Sequence, residues 1–82
     1  MVTMTINGTE ELVQRVQLAR SLPDPKMRRA IREAAGATQL EVAKAVGVCR
    51  ATIAHYERGA KTPRGEHLVR YVDVLRALRE VP

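Results

Sequence analysis

The sequence has no phenylalanine and no tryptophan, and Tyr56 and Tyr71 are its only aromatic residues. Any core must therefore come from Leu, Val, Ile, Ala and Met. That favours packed helices over a sheet, because strands draw on β-branched and aromatic residues for cross-strand packing. A single cysteine, Cys49, excludes an internal disulfide and any cysteine-based metal cluster, and it fits a reducing compartment. No apolar run approaches the roughly 18 residues of a membrane span. Residues Met1 to Glu11 lack the basic start and apolar stretch of a signal peptide, so a cytoplasmic location is expected. At 82 residues the chain has room for one domain and none for an enzyme core with a regulatory domain beside it.

Charge is present, but unevenly. Residues 1–25 hold two basic and three acidic side chains, a net of −1. Residues 26–64 hold nine Lys or Arg against Glu33, Glu41 and Glu57, a net of +6, and residues 65–82 balance at three of each sign. A solvated basic face would explain the total of +5 but not its concentration on one segment. A surface that meets phosphates explains both.

Read along the chain, "VTMTI" at 2–6 alternates apolar and polar and then meets Asn7-Gly8. It reads as a flexible tail, with a short strand paired to a second copy as the alternative, so that residues 1–8 stand apart from one domain over 9–82. From Thr9, a helix-capping residue, the pattern turns helical. Leu12, Val13, Val16 and Ala19 form a stripe, and Leu22-Pro23 ends it. Asp24-Pro25 reads as the cap and first residue of a second helix, with Met27, Ala30, Ile31 and Ala34 inward and Gly36 as its stop. Thr38-Gln39-Leu40-Glu41 is a capping box opening a short third helix with Val42, Ala43 and Val46 inward. Gly47 permits a sharp turn, and a fourth helix runs from Val48 or Cys49 to Arg58. Thr62-Pro63 repeats the cap-then-proline signal before a fifth helix with Leu68, Tyr71, Val72, Leu75 and Leu78 on one stripe. The expected fold is all-α, a five-helix bundle.

Two short helices around a glycine turn, Thr38 to Arg58, make a helix-turn-helix, in which the second helix enters the major groove of DNA. On the fourth helix Ile53, Tyr56 and Glu57 fall on one side and Arg50, Ala51, Ala54, His55 and Arg58 on the other. That outward face is short, mixed and partly apolar, which suits a groove better than water. Arg50 can donate two hydrogen bonds to guanine, and Ala51 or Ala54 can touch a thymine methyl.

The run "REAAGATQLEVAKAVGVCRATIAHYERGAKTPRG" resembles the lambda-repressor and Cro type of helix-turn-helix domain, over about Lys26 to Leu78. The resemblance carries Thr-Gln, Val-Gly-Val, Arg-x-Thr-Ile and Tyr-Glu-Arg-Gly in matching order. It implies that Arg50, Ala51, Thr52 and His55 face the DNA, and the helix face read above adds Ala54 to the base-reading set. It also implies that Gln39, Arg58, Lys61 and Arg64 hold phosphates, and that Arg32 pairs with Glu57 as a structural ion pair; Thr38, at the same helix start as Gln39, is a further phosphate candidate. The helix over Thr9 to Arg20 is extra to the pattern and is expected to serve packing or dimerisation. Cys49 stands where the family usually has Ser or Thr. It reads as a small residue starting a helix, although a thiol there beside Arg50 would have a lowered pKa.

Other chemistry is poorly supplied. His55 and His67 have no partners at metal-ligand spacing, and no nucleophile, acid–base pair or phosphate loop is evident, so neither enzyme nor cofactor is expected. The reading that follows is a sequence-specific DNA-binding regulator of phage or bacterial origin, a repressor acting as a homodimer on a pseudo-palindromic operator. The alternatives are an antitoxin that binds a toxin and represses its own operon, and a recombination accessory factor.

Overall fold

The computed structural model describes residues 8–82. Five helices follow one another: α1 (Gly8–Arg20), α2 (Pro25–Ala34), α3 (Gln39–Val46), α4 (Arg50–Arg58) and α5 (Gly65–Arg79), with no strand among the described residues. The fold is all-α, as the apolar periodicity requires. The tail-or-strand reading of residues 2–6 lies outside the described residues.

The helix boundaries follow from local chemistry. Asp24 accepts the Met27 N–H at 2.9 Å, and Pro25 occupies the first helical position of α2, where a missing N–H costs nothing. Thr38 and Glu41 form the full capping box of α3: the Thr38 hydroxyl accepts the Glu41 N–H at 3.0 Å, and the Glu41 carboxylate accepts the Thr38 N–H at 2.8 Å. Gly47 ends α3 at φ +91°, a left-handed conformation that costs glycine little, and the chain turns directly into α4.

The core lies among α3, α4 and α5. Val42, Ala43, Val46, Ile53, Tyr56, Tyr71 and Leu75 are buried there, with Ile31 added from α2. The two tyrosine rings meet with centroids 5.1 Å apart and planes tilted by 34°. Tyr71 is fully buried and its hydroxyl has no hydrogen-bond partner. Burial and the nearby Glu57 charge push its pKa up to about 12.

Three expectations fail on local grounds. Thr9 does not cap α1, because the helix already includes Gly8 and Thr9. In α2, Met27, Ala30 and Ala34 are exposed and only Ile31 is buried. The inward side is shared by two arginines. Arg28 donates to the carbonyls of Pro23 at 2.6 Å and Tyr56 at 2.9 Å, and Arg32 bonds Glu57. The buried Glu57 carboxylate and the Tyr56 carbonyl on α4 take donors from α2, and satisfying them turns α2 so that its small apolar residues face out. Finally, α5 starts at Gly65, with Arg64 rather than Thr62 before it and no side-chain cap. Pro63 is fully buried, so it anchors the loop against the bundle instead of opening the helix.

Candidate nucleic-acid interface

The capping box fixes where α3 begins, and the Gly47 turn fixes how α4 leaves it. On α4, Ile53, Tyr56 and Glu57 are buried, which leaves the opposite side outward. Arg50, Ala51 and Arg58 are exposed there, with Ala54 and His55 half-buried between them. At about 100° per residue, these five share one face. Thr52 lies at its flank, half-buried beside the loop that follows α4. An Arg58 guanidinium nitrogen sits 3.1 Å from His55 Nδ1. Since arginine can only donate, Nδ1 is the acceptor in this contact.

Behind this face runs a hydrogen-bonded chain. Arg32 Nε and Nη2 reach the two Glu57 oxygens at 2.5 and 3.0 Å, and Arg32 Nη1 donates to the Ala37 carbonyl at 2.9 Å. Gln39 Nε2 donates to Glu57 at 3.1 Å, and Gln39 Oε1 accepts from Arg50 at 3.0 Å. Burial pushes the Glu57 carboxyl pKa up. The hydrogen bonds from Arg32 and Gln39, with the Arg32 charge, outweigh that and hold it below the usual glutamate range. The bond to Glu57 raises Arg32 in turn.

The side chains expected to hold phosphate divide into three groups. The Gln39 carboxamide is engaged by Glu57 and Arg50, and the Thr38 oxygen accepts within the cap. What the start of α3 offers an anion is its first-turn backbone N–H groups. Lys61 and Arg64 instead line an open depression with Val48, Thr52, Tyr56, Ala60, Thr62 and His67. His67, which the sequence showed only to lack metal-ligand partners, thus shares a surface with both cations. Its position three residues beyond Arg64, in the first turn of α5, was the available signal. Arg58 lies apart from this depression, on the α4 face.

Cys49 is exposed and stands at the cap of α4, its sulfur 3.2 Å from the Thr52 hydroxyl. The Thr52 side chain and backbone N–H groups, rather than Arg50, lower its thiol pKa. Among the described residues no group of three or more His, Cys, Asp or Glu is placed to hold a metal, and no helix is long and apolar enough to cross a membrane.

Two short helices, a glycine turn between them and a buried ion pair beneath the second define a helix-turn-helix protein. A family model described as helix-turn-helix, of the Cro/C1 type, matches residues 29–80, and the chain belongs to that family of DNA-binding transcriptional regulators. The matched span leaves α1 outside it. No curated protein and no solved structure matches the chain significantly.

Proposed function

We propose that the protein is a sequence-specific repressor of phage or bacterial origin that acts in the cytoplasm by occupying an operator that overlaps a promoter. The observation that carries this reading is the outward face of α4, where Arg50, Ala51, Ala54 and His55 combine donors with small apolar groups on a rigid helix. Arg50 and His55 supply hydrogen bonds to base edges, and the two alanines supply close contact with thymine methyls. Lys61 and Arg64, with Arg58 at the end of α4 and the first-turn N–H groups of α3, hold the flanking phosphates. His67 joins the loop cations as a further phosphate-side group. Two copies bind half-sites about 34 Å apart, because one recognition helix reads too few base pairs for useful specificity.

The test is transcription in vitro from a promoter carrying a selected operator. Added protein should reduce transcript, and the Arg50→Ala variant should need a higher concentration to do so. An increase in transcript would make the protein an activator and sink the repressor reading.

A further inference from the structure

Helix α1 leaves Leu12, Val13 and Val16 out of its contact with α5. Glu11, Gln14, Arg15 and Leu18 face Gly65, Leu68 and Val69 of α5. Leu12, Val13 and Val16 are 49%, 47% and 38% exposed, and no residue of α1 is buried. At about 100° per residue, these three fall together on the side opposite Leu18, while Ala19 lines a cavity with Gly65 and Leu68 of α5. A stripe without a partner among the described residues, outside the span that the family pattern accounts for, calls for an occupant.

We propose that the occupant is the same stripe of a second copy, the two α1 helices lying antiparallel across a two-fold axis near Gln14. The charges of the helix select this partner and this direction. Glu10 and Glu11 lie in its first turn and Arg20 in its last. With the axis at residue 14, midway between Leu12 and Val16, Arg20 of one helix comes level with Gly8 of the other, within a turn of the partner's acidic end. Each acidic end then meets a basic end, and the two helix dipoles oppose. Parallel pairing would set like charges together. A two-fold arrangement also closes on itself and adds no third copy.

The expected strength follows from size. Thirteen residues make a helix about 20 Å long, and one such pair covers less than the roughly 800 Å² per partner of a standard interface. Pairing is therefore weak in free solution and is reinforced when two copies occupy adjacent half-sites, where effective concentration is high. The inference rests on the two-copy reading above and supplies its contact.

Sedimentation velocity of the full chain over a range of concentrations, without DNA, tests it apart from DNA binding. The wild-type protein should move from its 9.1 kDa monomer towards twice that mass as concentration rises. Leu12→Glu with Val16→Glu should stay monomeric, with unchanged circular dichroism and Tm, because both side chains are exposed in the monomer. Arg20→Glu should weaken association about tenfold, and adding Glu10→Arg should restore it. A dimer that survives the double substitution places the contact elsewhere and overturns the proposal. A wild-type monomer at every soluble concentration that also binds paired half-sites without cooperativity overturns it as well, as does a stripe that binds a different protein and never a second copy. Dimerisation without DNA binding would instead remove the repressor reading and leave the α1 contact standing.

Discussion

Gln39 Oε1 accepts a hydrogen bond from Arg50 at 3.0 Å, while the other end of the same carboxamide donates to the buried Glu57. The exposed arginine at the start of α4 is thereby tied to the ion pair that joins α2 to α4. Holding a long side chain in one orientation before binding lowers the ordering cost at the moment of contact. Arg50 is thus aimed by Gln39 and not by its own helix alone.

Gln39→Ala should weaken binding to the selected operator by about 1 kcal/mol, close to fivefold, and lower thermal stability slightly because Glu57 loses a donor. Fluorescence anisotropy and a thermal melt measure the two effects. An unchanged Kd would show that Arg50 reaches the bases without its help.

Arg50→Ala and Lys61→Ala should differ in kind. The first should cost roughly 1–3 kcal/mol and relax base preference at one position in each half-site. The second should weaken every sequence about equally and reduce the salt slope by about one. Titrations against operator and random duplexes at several salt concentrations separate these outcomes, and like behaviour in both variants would contradict the division into base and phosphate contacts.

The Glu57 carboxyl predicts an acid-side loss of stability. Its pKa is lower folded than unfolded, so the unfolded chain takes up the proton more readily. Its contribution is fully present above the unfolded value of about 4.3 and is lost as pH falls through the folded value. Glu57→Gln should destabilise the protein by about 3 kcal/mol near neutral pH, since it strands the Arg32 charge. The variant's stability should also depend less on pH below 4. Glu41, which the Thr38 N–H likewise holds low, leaves some slope in both proteins. Denaturant melts from pH 3 to 7 provide the comparison.

Cys49 has the backbone of a capping residue without a side-chain cap bond. Its φ and ψ of −83° and 160° nearly repeat the −87° and 161° of Thr38, whose hydroxyl does cap its helix. Cys49→Ser should therefore raise stability by roughly 0.5–1 kcal/mol and leave operator affinity unaltered. A large fall in affinity would give the thiol a role in DNA contact.

Much of this architecture was legible in the residues. Thr38 and Glu41 announce the start of α3, Gly47 the turn, and the spacing of Ile53, Tyr56 and Glu57 the buried side of α4, because capping and helical period are local properties. The family resemblance supplied the pairing of Arg32 with Glu57. The orientation of α2 was not legible, since its inward side is chosen by a carboxylate and a carbonyl on another helix, and periodicity scores arginine as outward. Nor was the placement of α1, whose apolar stripe looks like any core stripe until the neighbour it meets is known. The Gln39 bridge escaped for the same reason, as its two partners lie 11 and 18 residues away.

The central claim is that the outward face of α4 reads sequence, and selection of bound duplexes from a random library at near-physiological salt tests it most directly. The expected result is a palindromic motif with half-site centres about 10 base pairs apart, in which Arg50→Ala loses preference at one position of each half. Salt-sensitive binding with no enriched motif would contradict it.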